Sequence, residues 1–213
     1  IIRTTAHFLK TASFIGLLCT GTAQLAHAAP SVGATAGQFS VTPMGSASYN
    51  LPINMPPGTA GMTPKLAIAY DSQGGNGLLG QGFSLQGLSA ITRCPSNRAQ
   101  DGVIRSVRLD AQDKYCLDGQ RLIVVRGTYG AANAEYRTEI NGFARVVSFG
   151  TQGSGPLYWV VQTKDGLRME YGVTADSRIE AQGKAEVLSW NLSKVQDTLT
   201  NYYTITYFED NAN

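Results

Sequence analysis

The sequence predicts a mainly β protein whose antiparallel hairpins form a β-sandwich or an open curved sheet, with a helix only in an N-terminal export signal. Three observations lead to this prediction. Short runs alternate apolar and polar residues at a period of two, as in strands with one buried face. Asp-Gly and Asn-Gly dipeptides separate several of these runs and favour the positive φ angles of tight hairpin turns. After the first 28 residues, no segment carries a convincing helical period of 3.6.

Residues 1–28 have the pattern of a secretory signal peptide. Arg3 and Lys10 flank the start, Ala12–Cys19 is an apolar run, and Ala26–Ala28 supplies small residues at a cleavage site. A membrane span is the alternative, but it needs about 20 apolar residues, and polar residues such as Thr20 interrupt this run. We therefore expect cleavage after residue 28 and a protein that is extracellular or on the cell surface.

The remaining chain is predicted to be a small-residue linker, residues 29–37, followed by a β domain, residues 38–213. This domain is expected to run into the start of a further β region, so that the chain is a fragment of a larger protein. The first clear strand is Lys65–Tyr70, where Leu66, Ile68 and Tyr70 share one face.

Three hairpins and a pair of strands follow in the sequence. The turns of the hairpins are predicted at Asp118-Gly119, Asn141-Gly142 and Asp165-Gly166. Val187–Leu199 is the best helical candidate, but the alternation of its apolar residues favours a strand. A turn near Asp197–Asn201 then leads to a closing strand, Tyr202–Phe208.

The charge and histidine content of the mature chain exclude several functions. Removing Arg3 and Lys10 lowers the basic count from 17 to 15, which equals the 15 acidic residues. A neutral chain offers no basic patch for nucleic acid and no basic helix for a membrane surface. His7 and His27 also leave with the signal. The mature segment therefore cannot form a Ser-His-Asp triad or a metal site that contains histidine.

A glycine-rich segment satisfies the dinucleotide-binding pattern G-x-G-x-x-G at residues 75–80. A dinucleotide site needs a helix that opens at the third glycine, whereas the next residues continue as an alternating, glycine-broken run. We interpret this segment as a structural glycine loop and predict no cofactor. Its four glycines are expected to hold backbone angles that a β-carbon disfavours: Gly75, Gly77, Gly80 and Gly82.

No other residues form a convincing active or metal site. Asp110 and Asp113 are spaced as paired carboxylates, but beside Lys114 they are interpreted as a solvated surface. Asp71 and Asn76 lack the spacing of a calcium loop, so no metal is assigned. The protein is therefore predicted not to be an enzyme.

Between Asn50 and Arg93 the sequence follows the pattern P-x-L-x-[LI]-x-Y-[DS]-S, then G-N-G-x-[LF]-G-x-G-[WF]-x-L and I-x-R. The matching residues are Pro64, Leu66, Ile68, Tyr70, Asp71, Ser72, Gly75, Asn76, Gly77, Gly80, Gly82, Phe83, Leu85, Ile91 and Arg93. In this pattern the sequence resembles the N-terminal domain of the Salmonella virulence plasmid B protein (SpvB) family. Phe83 departs from the tryptophan that is frequent in the family.

Later segments are similar to Rhs/YD-repeat proteins that carry this domain. They are Asp113–Leu122, Tyr136–Phe143, Asp165–Gly172 and Trp190–Tyr207. The resemblance implies a non-catalytic scaffold module at the head of a large secreted virulence or toxin-complex protein, where it helps form a β shell around a downstream effector. Its implied partners are downstream regions of the same polypeptide, as an Rhs/YD shell or β-propeller, and other toxin-complex subunits.

A cell-surface adhesin or glycan-binding domain is the alternative function. Trp159, Trp190 and the tyrosines of residues 202–207 could stack on sugar rings, although aromatic residues in strands more often pack in a core.

Cys94 and Cys116 are the only cysteines left after Cys19 departs with the signal. An even pair in an exported chain predicts a disulfide. Two buried thiols are the alternative.

Overall fold

The computed structural model describes residues 36–77 and 79–208 of the chain, and it confirms the mainly β, antiparallel fold class. The predicted signal peptide and most of the predicted linker lie outside the described residues. The strands are β1 (Gln38–Val41), β2 (Ala47–Pro52), β3 (Ala67–Asp71), β4 (Asn76–Gly77), β5 (Gly80–Gln81), β6 (Phe83–Gln86), β7 (Ala90–Cys94), β8 (Lys114–Leu117), β9 (Gln120–Arg126), β10 (Glu135–Thr138), β11 (Arg145–Phe149), β12 (Tyr158–Gln162), β13 (Arg168–Tyr171), β14 (Arg178–Glu180), β15 (Val187–Gln196) and β16 (Tyr202–Thr204).

Helical structure is minor. The one-turn helix α1 (Arg98–Asp101) and the 3-10 turns Thr59–Gly61 and Ala175–Ser177 interrupt the strands. The prediction that helix is confined to the signal peptide is therefore wrong for α1. Asn97 caps this helix by accepting a hydrogen bond from the backbone N–H of Gln100, a local signal too short to produce a helical period. None of the helices in the described ranges has the length and apolarity of a membrane span.

A four-stranded sheet begins the described chain. Its strand order is β1-β2-β3-β6, and all neighbours are antiparallel. The strand expected at Lys65–Tyr70 forms as β3, shifted toward the C-terminus. Because side chains alternate across a strand, Ile68 and Tyr70 lie on one face and Ala67, Ala69 and Asp71 on the other.

The second sheet closes into an eight-stranded barrel. Strands β7 to β13 pair in sequence order, and β15 pairs with both β7 and β13. The sheet is closed, whereas the sequence predicted a sandwich or an open curved sheet. Strand β15 makes it possible because it is ten residues long, so that its first half pairs with β7 and its second half with β13. A closed sheet leaves no free edge along these strands.

Aromatic side chains fill the interior of the barrel. Tyr115, Tyr136, Tyr171, Trp159 and Trp190 are each less than 2% exposed. The two tryptophan rings meet edge to face at 5.8 Å, and Tyr115 contacts both of them in the same manner. Such pairs add stabilisation beyond the area that they bury. The barrel is therefore a packed core.

The predicted hairpin at Asp118-Gly119 forms between β8 and β9. Both turn residues have positive φ, 47° and 80°, as a two-residue turn of this kind requires. The hairpin at Asp165-Gly166 also forms, between β12 and β13, with Gly166 at φ 85°.

The hairpin at Asn141-Gly142 forms with a different turn. Strands β10 and β11 are antiparallel, but six residues separate them, and the positive φ belongs to Phe143. The side chain of Asn141 accepts a hydrogen bond from the Phe143 N–H at 2.9 Å and so stabilises the wider loop. The tight turn predicted here is therefore wrong.

The C-terminal strands form largely as predicted. Val187–Gln196 is the strand β15, which rejects the helical alternative, and Asp197 organises the following turn by accepting hydrogen bonds from the backbone of Leu199 and Asn201. The closing strand is shorter than predicted, because only Tyr202–Thr204 pairs with β15.

Candidate functional site

The glycine loop connects β3 to β6 in the small sheet. Its strands β4 and β5 pair with each other as a short hairpin, and the backbone N–H of Gly82 donates to the carbonyl of Gly75 at 2.9 Å. The chain then continues directly as the strand β6. A dinucleotide site requires a helix at this point, so the local structure is that of a glycine-rich β arch.

Three of the four glycines occupy positions that a larger residue would strain. Gly80 and Gly82 have φ of 107° and 78°, and a β-carbon on Gly77 would lie 2.5 Å from the Phe83 carbonyl oxygen. Gly75 has neither a positive φ nor any atom within 4 Å of such a β-carbon. The expectation of a constrained backbone angle is therefore wrong for Gly75. At Gly77 the constraint is close contact instead of φ.

Gly82→Ala is expected to lower the free energy of unfolding by about 1 kcal/mol or more. The new methyl group would meet the carbonyl oxygen of Asp71 and the ring of Tyr70, both at 2.7 Å, on a backbone with φ 78°. Gly75→Ala is the matched control in the same loop, and its stability should be unchanged or slightly higher. Urea unfolding of the two variants measures this difference. Equal losses of stability would contradict the assignment of strain to Gly82.

The predicted pair Cys94 and Cys116 forms a disulfide in the structure. The bond joins the adjacent strands β7 and β8, with 5.9 Å between the two α-carbons. Cys116 is 6% exposed, and Cys94 is partly exposed at the edge of a surface depression that Arg121 and Glu139 also line. The bond encloses the segment 95–115, which contains α1 and both Asp110 and Asp113.

Arg93 is the centre of a buried polar cluster at one end of the barrel. Its guanidinium donates hydrogen bonds to the Val187 carbonyl at 2.8 Å, to the Asp113 carboxylate at 3.1 Å and to the Ser154 hydroxyl at 3.2 Å. It also lies 5.6 Å from the ring centre of Tyr115. Burial raises the pKa of the Tyr115 hydroxyl to about 12. Arg93 thus ties β7 to β15 and to two loops.

Asp113 compensates the Arg93 charge. The side chains of this pair are 0% and 1% exposed, and the carboxylate also accepts hydrogen bonds from the backbone N–H groups of Arg108 and Leu109. The interpretation of Asp113 as a solvated surface residue is therefore wrong. It holds for Asp110, whose side chain is 47% exposed.

The Asp110 carboxylate contacts the Arg105 guanidinium instead of Arg93, although the Asp110 backbone carbonyl accepts a hydrogen bond from Arg93 at 3.0 Å. The hydrogen bond from the Arg105 guanidinium, with a second from the Gln112 N–H, holds the pKa of the Asp110 carboxyl below its usual range. Both carboxylates are thus engaged by arginines, and neither is placed as a free general acid or base. No three His, Cys, Asp or Glu side chains in the described part of the chain are grouped closely enough to hold a metal ion.

Arg93 belongs to the family motif in the sequence, but the motif alone predicts no role for its side chain. Strand alternation supplies the missing signal, because Arg93 follows the fully buried Ile91 by two residues and must share its inward face. An inward arginine in a barrel requires a carboxylate partner. The sequence offered Asp110 and Asp113 but not the choice between them.

The two tryptophans considered for glycan binding lie in the core, whereas the tyrosines Tyr203 and Tyr207 are partly exposed and Tyr202 is exposed. Trp159 and Trp190 are fully buried, and the Trp190 indole donates a hydrogen bond to the Leu157 carbonyl at 3.1 Å. Tyr202 is exposed, but Lys194 lies over its ring at 4.6 Å from the centre. Neither tryptophan is therefore available to stack on a sugar ring, and the adhesin alternative is not supported.

A family model matches residues 41–213 of the chain, and it describes the Salmonella virulence plasmid 65kDa B protein, SpvB. No curated protein matches the chain in sequence.

Solved structures share the fold at low sequence identity. A chain of the crystal structure of TcdB2-TccC3 superposes with a TM-score of 0.65 at 22% identity, covering 84% of this chain and 9% of that one. The Photorhabdus luminescens Tc holotoxin pore gives a TM-score of 0.59 at 19% identity, covering 77% of this chain and 8% of that one. The N-terminal domain of the effector protein SpvB from Salmonella typhimurium strain LT2 gives 0.58 at 20% identity, covering 76% and 56%.

The chain therefore spans less than a tenth of the toxin chains and little more than half of the Salmonella chain. At these identities the likeness is one of fold.

Proposed function

Because the chain belongs to the SpvB family, we propose that it is a non-catalytic scaffold module at the amino terminus of a large exported protein of the toxin-complex type. In this role it helps form a β shell that encloses or presents a downstream effector. The proposed partners are downstream regions of the same polypeptide, as an Rhs/YD shell or β-propeller, and other toxin-complex subunits.

The filled barrel is the observation that carries this proposal. Five aromatic side chains occupy its interior, and the Arg93–Asp113 pair and the Cys94–Cys116 disulfide fix one end. A closed sheet packed in this way holds its shape, and aromatic side chains occupy the interior in which a barrel could hold a ligand. These are properties of a structural support.

Two further observations favour a structural role over a catalytic one. The candidate carboxylates Asp110 and Asp113 each contact an arginine, and the glycine loop continues into a strand. The relatives of known structure are named as toxin-complex assemblies and as an effector domain, and in the toxin chains the matching part is a small fraction of the length. A module of this size in a long chain is consistent with a supporting role.

The amino-acid sequence supports the proposed export and the proposed choice of partner. The predicted signal peptide favours an extracellular or cell-surface location, and the equal numbers of acidic and basic residues disfavour nucleic acid as a partner. Two cysteines placed to form a disulfide also fit an oxidising compartment.

The proposal is tested by the complete gene product. We expect the sequence beyond residue 213 to contain tyrosine-rich YD repeats or other β-rich repeats. Deleting residues 38–213 should then abolish the compact, protease-resistant state of the downstream region, as measured by limited proteolysis with mass spectrometry. A downstream region without β repeats, or one that keeps its protease resistance after the deletion, would contradict the scaffold role.

A further inference from the structure

One face of the small sheet is built entirely from aromatic and aliphatic side chains. Register places them in rows across the four strands, which we call the apolar face: Phe39, Tyr49, Tyr70 and Phe83 in one row, Leu51, Ile68 and Leu85 in the second, and Val41 with Ala47 in the third. The Tyr70 and Phe83 rings are in contact, 4.9 Å between their centres. Cross-strand rows of this kind are the unit by which a sheet forms a packing surface.

The apolar face is open in the described part of the chain. Phe39 is 66% exposed and Val41 64%, and Tyr49, Phe83 and Leu85 are also exposed. The opposite face carries small and polar side chains, including Ser40, Ser48, Asn50, Ser84 and Gln86. A sheet with one apolar and one polar face is patterned to bury the apolar side. A contiguous exposed apolar surface is typical of an interaction site.

Charged residues are almost absent from this part of the chain. Between Ala36 and Ser89, Lys65 and Asp71 are the only charged side chains, and Met44 and Met55 are exposed. Depletion of charge together with aromatic residues and methionine is the composition of protein–protein interface cores. Membrane surfaces and nucleic acids select basic residues instead, so the chemistry of this face fits a protein partner with an apolar, charge-poor surface.

The described chain ends beside this face. A groove of about 490 Å³ is lined by Leu85, which belongs to the apolar face, and by Leu88, Ile179, Tyr207 and Phe208. Phe208 is the last described residue, and its side chain is fully exposed.

Tyr207 fixes the chain at this point. Its backbone N–H donates to the Asp176 carboxylate and its hydroxyl donates to the Leu192 carbonyl, each at 2.8 Å. Tyr207 and Phe208 are therefore held at the groove beside the apolar face. A tethered segment competes there at an effective concentration that a separate molecule does not reach.

We infer that the apolar face is the docking surface for the polypeptide that follows residue 213 in the complete protein. The occupant is an apolar, charge-poor face of that downstream region, which covers the three rows of the apolar face and fills the groove beside Phe208. This inference rests on the proposed scaffold function and assigns the surface through which the module is joined to the shell.

Site-specific photo-cross-linking in the complete protein tests the inference. The photoreactive residue p-benzoylphenylalanine is introduced in place of Phe39 or, as a matched control, in place of Phe143. The control is an exposed phenylalanine in the β10–β11 loop of the barrel, 71% exposed against 66% for Phe39. Both positions leave the core untouched, and formation of the Cys94–Cys116 disulfide reports that each protein has folded.

We expect position 39 to give at least about tenfold more intramolecular cross-link to peptides beyond residue 213 than position 143, because a buried interface holds the probe against its partner. Cross-links from position 39 to a second copy or to another protein would overturn the inference, as would the absence of any cross-link there.

The outcomes also separate this inference from the scaffold function. If position 143 cross-links to the downstream region and position 39 does not, the module docks through its barrel and only the inference fails. If neither position does, and deletion of residues 38–213 leaves the downstream region protease-resistant, the scaffold function fails as well.

Discussion

Asp113→Ala is expected to lower the free energy of unfolding by about 3–5 kcal/mol, because it leaves the Arg93 charge buried without a carboxylate. The Arg93 side chain is fully buried, so water cannot replace the lost partner. The substitution also removes the acceptor for the backbone N–H groups of Arg108 and Leu109. Urea unfolding at neutral pH, followed by the fluorescence of the buried Trp159 and Trp190, measures the effect.

Asp110→Ala is the matched control. This carboxylate is three residues away and also pairs with an arginine, but its side chain is 47% exposed. Arg105 is 13% exposed but keeps the Asp113 carboxylate at 3.6 Å, and pairs with a solvent-exposed carboxylate contribute about 0–1 kcal/mol, so this variant should unfold close to the unsubstituted protein. Similar losses for both variants would show that burial of the Arg93–Asp113 pair does not determine its contribution.

A double variant separates the cost of an unpaired charge from the contribution of the pair. Arg93→Met with Asp113→Leu removes both charges and keeps apolar volume, so the loss should be smaller than the sum of the two single losses. Additive losses would indicate that the two side chains act independently, in conflict with their 3.1 Å contact.

Local turn chemistry explains why the hairpins could be predicted from the sequence. At Asp118-Gly119 both residues adopt positive φ, as the dipeptide favours, and two apolar runs are then close enough to pair. At Asn141-Gly142 the same logic identified the hairpin but not its turn. The strands there end earlier, and the Asn141 side chain stabilises a wider loop instead.

Closure of the barrel and the buried ion pair depend on contacts between distant parts of the sequence. Strand β15 pairs with β7 about a hundred residues before it, and Arg93 binds the Val187 carbonyl across the same distance. Periodicity states which side chains share a face, but it does not state which strands meet. For the same reason the alternation in β3 indicated one apolar face but gave no information on whether another part of the chain covers it.

Replacing both cysteines, Cys94→Ser with Cys116→Ser, is expected to lower the free energy of unfolding by about 3 kcal/mol. The bond closes a separation of 22 residues, for which loop entropy in the unfolded chain gives about this value. The pairing of β7 with β8 and the Arg93–Asp113 contact remain in the folded protein, so the variant should still fold. Urea unfolding compares it with the unsubstituted protein, with and without a reductant.

Adding a reductant distinguishes the effect of the disulfide on stability from the effect of replacing the two cysteine side chains. Residues 29–213 contain no other cysteine, so the reductant should destabilise the unsubstituted protein by about the same 3 kcal/mol and leave the double serine variant unchanged. Alkylation and mass spectrometry of the non-reduced, exported protein should find no free thiol, because the two α-carbons lie 5.9 Å apart in paired strands. Two alkylated cysteines in that sample would contradict the disulfide, and stability of the module would then rest on the barrel core and the buried ion pair.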